Sequence, residues 1–201
     1  MQVPIDRAGR RRYMPRMSVT TDIADAGIPE ILIVPDKRLR MKARRVVGAD
    51  RSEVAELVPR MFAAMYRAPG IGLAAPQIGV SLRLVVMDLA PDDQKQPIVM
   101  INPEITTRSD ELVSREEGCL SLPGQYAEVI RPGRISVSFE DEGGKKRLLD
   151  ADGLLAACIQ HEIDHLDGVL FVDHLSALKR NMILRKLAKD LREKAARKPT
   201  R

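Results

Sequence analysis

The sequence predicts an α+β fold, and three observations carry that expectation. Two β-rich runs, "RLVVMDLA" (residues 83–90) and "IVMINPEI" (98–105), are bounded by Pro and Asp. A further stretch, "RISVSFEDEGGKKRLLDA" (134–151), reads as a hairpin in which Ile135, Val137 and Phe139 alternate with polar residues and "EGGK" supplies the turn. These strands, joined by hairpin-like links, precede two helical stretches instead of alternating with them, which argues against a doubly wound parallel sheet.

The elements follow in chain order. Residues 1–27 lack periodicity and are expected to be a flexible N-terminal extension; residues 28–201 are expected to form a single domain. Ser52 to Ala68 opens on a capping residue and places Val54, Leu57, Val58, Met61 and Met65 at helical spacing. Pro59 inside it implies a kink or a later start. A second helix should run from Asp152, as N-cap, to Gly168, as C-cap. A third should begin near Ser176, with Leu178, Met182, Leu187 and Leu191 on one apolar side and a strongly basic remainder.

Composition sets limits. A chain of 201 residues that is 44% hydrophobic can bury one core, and with 3% aromatics and no Trp that core must be mostly Leu, Ile, Val, Met and Ala. No apolar run reaches about eighteen residues, so no membrane span is expected. The opening residues lack the apolar stretch of a secretory signal. The two cysteines, Cys119 and Cys158, point to free or metal-bound thiols in a reducing compartment. The cytoplasm is the expected location, or an organelle if residues 1–27 act as a transit segment. The net charge of +5 is unevenly spread: residues 1–17 hold five Arg and one Asp, and residues 176–201 hold ten Lys or Arg and two acids. The body between them is therefore acidic. Basic ends on an acidic body suit contact with a polyphosphate surface such as RNA, and sequence-specific DNA binding is not expected. A monomer is the expected state.

The densest chemistry lies in "QHEIDHLDGVLF" (160–171). On a helix, His161 and His165 lie about 6 Å apart along the axis on one face, so both can reach one metal ion. Glu162 stands beside them, where a carboxylate can exchange a proton with water on that ion. One group of zinc peptidases continues this pattern to a third His, but here Phe171 occupies that place. His174 has the wrong offset, and Glu193 lies in a solvated basic helix. Cys158 shares the stripe but is seven residues from His165, about 10 Å along the axis, too far for bonds of about 2.0–2.3 Å. It reads better as a small packing residue. Cys119, in the turn-like segment "EEGCLSLPG", is the soft ligand that remains. Three protein ligands leave a fourth position open, the pattern of a catalytic site.

Together, "GIGLAAPQ" (70–77), "EGCLS" (117–121) and "QHEIDHLDG" (160–168) resemble the three ordered motifs of the peptide deformylases of bacteria and organelles. The resemblance runs from Ile28 to the last helix. It implies antiparallel β-sheets packed around a central helix that carries His161-Glu162-Ile163-Asp164-His165, plus a basic C-terminal helix. The implied reaction removes the N-formyl group from the initiator N-formylmethionine of nascent polypeptides and releases formate. The implied metal is Fe²⁺, with Zn²⁺, Ni²⁺ or Co²⁺ able to substitute, held by Cys119, His161 and His165. Glu162 would be general base and then acid, and the Gln77 side chain and the Leu120 backbone N–H would donate to the oxyanion. A peptide would pair alongside Ile71 and Gly72, its Met side chain against Ile71, Leu154 and Cys158, with Gly118 and Tyr126 at the rim. Many bacterial members carry Arg where this chain has Tyr126. The basic last helix would suit docking on ribosomal RNA. Two rival readings are an endopeptidase of the same metal motif, which Phe171 disfavours, and a non-catalytic ribosome-associated binding protein, which retention of Glu162 and Gln77 disfavours.

Overall fold

In the computed structural model, residues 27–90 and 94–196 are described. Residues 1–26, which make up nearly all of the expected N-terminal extension, lie outside them, as do residues 197–201. The described elements are helix α1 (Arg51–Arg67), strands β1 (Gly72–Ala74), β2 (Leu84–Met87), β3 (Ile98–Arg108), β4 (Leu112–Cys119), β5 (Leu122–Pro132), β6 (Arg134–Glu140) and β7 (Lys146–Asp152), then helices α2 (Gly153–Leu166) and α3 (Ala177–Ala196). Five strands form an antiparallel sheet in the order β1-β2-β3-β6-β7, and β4 and β5 form a separate hairpin. The α+β expectation holds.

The sheet is covered on both faces, and strand alternation assigns each side chain to one of them. Leu84 and Val86 of β2 pack with Val58, Met61, Phe62 and Met65 of α1. Val85 and Met87, one residue out of phase, pack with Cys158, Ile159, Ile163 and Leu166 of α2. This double burial explains why β2 is an unbroken apolar run rather than an alternating one. On its other side α2 meets the β4–β5 hairpin, where Glu117 reaches His161, so α2 is the central helix. A third apolar cluster joins Leu122 and Val129 of β5 to Leu170, Phe171 and Val172 after α2 and to Leu187 of α3.

Several local expectations need correction. Helix α1 begins at Arg51, and its N-cap position is Asp50 rather than Ser52. The Asp50 carboxylate accepts from the Val47 N–H at 2.8 Å and pairs with Arg44. The helix continues through Pro59, and Ala55, whose carbonyl loses its helical donor there, is on the exposed side. Asp152 is the N-cap position of α2, but its side chain makes no capping bond. Gly168 lies one residue past the C-cap Asp167, at φ +74°, where an added Cβ would meet the Arg40 backbone oxygen at 2.6 Å. The turn expected around Cys119 is present but tight: Cys119 ends β4, and Leu120 and Ser121 form the turn to β5, with strands on either side. The apolar side of α3 was also misassigned. At about 100° per residue, Leu178 and Leu187 point in opposite directions. Ile183, Leu184, Leu187 and Leu191 face the third cluster, while Leu178 and Met182 are exposed.

Candidate metal centre and active-site cleft

Two separate elements, strand β4 and helix α2, bring Cys119, His161 and His165 together. The ligand atoms of these residues lie within 4.8 Å of one another, a set able to hold a metal ion. One helical turn separates the two histidines, whose ring centroids are 5.0 Å apart. The end of β4 supplies the sulfur, and Cys119 Sγ lies 3.2 Å from His165 Nε2. His174 stands apart, bonded through Nε2 to Asp164 at 2.7 Å, and Glu193 is paired with Lys189 on α3. Phe171 is buried and stacks on the His161 ring at 6.3 Å. The residue that replaces a third His therefore packs the ring of a candidate ligand in place.

The chemistry of the donors suits a metal. A thiol and two imidazoles form a mixed soft and borderline set favoured by divalent transition ions. Among the described residues, two buried side-chain polar atoms lack a hydrogen-bond partner, Glu162 Oε2 and His165 Nδ1, and both belong to this cluster. Native structures rarely leave such atoms unpaired unless something is bound nearby. Burial pushes the His165 imidazole well below its usual range, which keeps it neutral and able to ligate. His161 is buried too, but hydrogen bonds to Cys119 and Glu117 outweigh that effect and raise it.

Behind His161 stands an ion-pair network that sequence reasoning missed. His161 Nδ1 lies 2.9 Å from Glu117 Oε2, so an Nδ1–H there donates to the carboxylate and leaves Nε2 for a metal. Arg131 donates to Glu117 through Nε at 2.5 Å and Nη2 at 3.0 Å, and to Asp164 through Nη1 at 2.8 Å. Glu117 is buried, which alone would raise its pKa, yet its bonds to His161 and Arg131 hold it down at about 2. The available signal was the charged Glu117 and Arg131 at inward-facing positions of a strand pair.

Glu162 is 4% exposed, and burial pushes its carboxyl up to about 7. Its environment requires Gly72: a Cβ there would sit 2.5 Å from Glu162 Oε1 and 2.9 Å from Cys158 Sγ. Gln77 is also buried, and its orientation is set by the backbone. Its Oε1 accepts from the Ala74 N–H at 2.8 Å, so Nε2 must face Ser121 Oγ at 3.3 Å and Cys119 Sγ at 3.7 Å.

These groups open onto a cleft of about 770 Å³. Its walls include every candidate site residue named from the sequence except His165, which is buried beneath it. Ile71, Leu154 and Tyr126 are exposed on the rim, while Cys158 is buried in the wall, where burial raises its thiol well above the usual range. Gly118 permits the Tyr126 ring to cross it, since a Cβ would meet that ring at 2.5 Å. Strand β1 is the outer strand of the large sheet and borders this cleft.

Residues 28–181 match the family model of polypeptide deformylases. The chain is 55% identical over 163 residues to a peptide deformylase of Methylocella silvestris, spanning 79% of this chain and 83% of that protein. It is 50% identical over 168 residues to one from Agrobacterium fabrum, spanning 83% and 98%. The fold matches the crystal structure of a peptide deformylase from Legionella pneumophila with a TM-score of 0.79 at 50% identity, covering 86% of this chain and 99% of that one. It also matches the Synechococcus elongatus enzyme, solved in complex with actinonin, with a TM-score of 0.77 at 44% identity over 86% and 94%. The motifs that build the cleft all fall inside the matched region, and the chain belongs to the polypeptide deformylase family.

Proposed function

We propose that this chain hydrolyses the N-formyl group of initiator N-formylmethionine on nascent polypeptides, yielding formate and a free amino terminus. The convergence of Cys119, His161 and His165 beside the unpartnered Glu162 Oε2 at the floor of the cleft carries this reading. Cys119, His161 and His165 would hold the metal, with Fe²⁺ the ion proposed and Zn²⁺, Ni²⁺ or Co²⁺ as substitutes. Such an ion supplies Lewis acidity, which acidifies water and polarises a carbonyl.

The protein's own groups do the rest. The Glu162 carboxylate takes a proton from the attacking water and passes it to the departing amine nitrogen. One C–N bond breaks, one C–O bond forms, and the water's second proton leaves the product acid as formate. Gln77 Nε2, aimed by the Ala74 N–H, donates to the oxygen that becomes negative. The Leu120 N–H, in the two-residue link between β4 and β5, is the second donor. Glu117 fixes the tautomer of His161, and Arg131 fixes Glu117.

The substrate backbone adds to the outer edge of β1 along Ile71 and Gly72, in the manner of strand addition. Its first side chain enters between Ile71, Leu154 and Cys158, and Gly118 and Tyr126 border the peptide beyond it. Residues 28–201 act as one catalytic domain in the cytoplasm, as a monomer, and residues 1–27 as its extension. Helix α3 presents basic side chains outward and packs its other side against β5, an arrangement suited to ribosomal RNA.

The test is anaerobic. The Fe²⁺-loaded protein should release formate from formyl-Met peptides and leave unformylated peptides intact. Internal cleavage without formate would replace this reading with that of an endopeptidase.

A further inference from the structure

Strand alternation places Arg115, Glu117 and Cys119 on the same side of β4, facing α2. Cys119 meets His165 and Glu117 meets His161. Arg115 continues this row to the first turn of α2, where its Nη2 lies 4.0 Å from the position of a Cβ on Gly153. It lines the cleft beside Leu154 and Ala157. Arg131, the neighbouring inward-facing arginine, is buried and bound to two carboxylates. Arg115 is exposed and makes no ion pair or side-chain hydrogen bond among the described residues. An unpaired guanidinium therefore stands at the far end of the cleft, beside the apolar side chains of Leu154 and Ala157 and near the polar Ser114 and Glu116.

Backbone spacings along β4 and α2 set the scale between the ligands and Arg115. Four residues of strand from Cys119 to Arg115 span about 13 Å. Eight residues of helix from His161 to Gly153 span about 12 Å. From a formyl carbon, the sulfur of an extended methionine side chain lies roughly 6 Å away. The remaining distance of about 6–7 Å is spanned by a sulfur-bound oxygen, one hydrogen bond and the reach of the long Arg115 side chain.

Building on the deformylase reading, we infer that Arg115 is a specificity-determining residue that lets the first pocket accept side chains ending in a hydrogen-bond acceptor oxygen. Its substrate class is N-formyl peptides whose first residue is an oxidised methionine, the sulfoxide. A purely apolar pocket end would leave the S–O dipole without a donor and reject it. Arg115 supplies a charged donor at that depth. No covalent step is added, since the same formyl C–N bond is cleaved.

The test compares kcat/KM for formyl-methionine-sulfoxide-Ala-Ser and formyl-norleucine-Ala-Ser, the second having similar length and no acceptor. The parent protein should process both, and Arg115→Leu should lower the sulfoxide-to-norleucine ratio by about tenfold, the effect of one charge-assisted hydrogen bond at a partly exposed site. Arg115→Lys should keep most of the preference. A ratio unchanged in Arg115→Leu, with formyl-Met peptides still hydrolysed, would overturn the assignment of Arg115 alone. So would an Arg115-dependent gain that instead follows an Asp placed at the second residue of the norleucine peptide. Absence of formate release from every peptide would overturn the deformylase reading, and this inference with it.

Discussion

Adding a single methyl group at position 72 should disable the site by displacing the carboxylate that carries the proton. In Gly72→Ala the new Cβ would lie 2.5 Å from Glu162 Oε1 and 3.0 Å from its Cδ, where ordinary van der Waals contact begins at 3.4 Å. The carboxylate must retreat by roughly 1 Å, a misplacement that costs on the order of 100-fold in rate. Retreat is not free, because Glu162 is 4% exposed and Cys158 Sγ would stand 2.9 Å from the same methyl. Overpacking of this kind costs about 1–3 kcal/mol of stability. The assay is formate release at saturating formyl-Met peptide, with thermal melting and bound metal measured on the same preparation. The expected result is a folded, metal-replete protein with kcat down by about two orders of magnitude. A kcat within about threefold of the parent would refute the claim that the position of Glu162, held by the absence of a side chain at Gly72, limits turnover.

The other expected outcomes test different parts of the site. Glu162→Ala should retain its metal, measured by elemental analysis, and lose formate release, since the proton carrier is gone while the ligands stay. Gln77→Glu keeps an oxygen for the Ala74 N–H but removes the donor near Cys119; kcat should fall by about 10²–10³-fold. Arg131→Met strands the buried Glu117 carboxylate with only His161 beside it. Breaking a buried pair in this way should cost about 3–5 kcal/mol in urea unfolding, and an unchanged midpoint would remove Arg131 from the support of the centre.

The HEIDH helix was legible because its period is written in the sequence. Two histidines four apart, apolar residues between strands and helix, and a glycine just past the end all act locally. Cys119 was reached by elimination among few ligands, which works in a chain with three histidines and two cysteines. The hairpin that presents Cys119 was not legible. Its inward face carries Arg115, Glu117, Cys119, Gln125 and Arg131, so the apolar alternation that marks a half-buried strand is absent. Those charges are buried as a network across elements distant in sequence, which no local pattern records. The same network explains why Glu117 and Arg131 went unnoticed as supports of His161. On α3 the failure was one of phase: Leu178 and Leu187 were joined into one side, although nine residues on an α-helix turn the chain half a circle.

The claim on which the rest depends is that Cys119 completes the ligand set begun by His161 and His165. X-ray absorption at the metal edge of Zn²⁺-loaded protein tests it directly. One sulfur at about 2.3 Å and nitrogen or oxygen at about 2.0–2.1 Å are predicted, with the sulfur lost in Cys119→Ala together with most of the metal. A parent spectrum with no sulfur shell, or a Cys119→Ala protein that keeps its metal and its formate release, would contradict it.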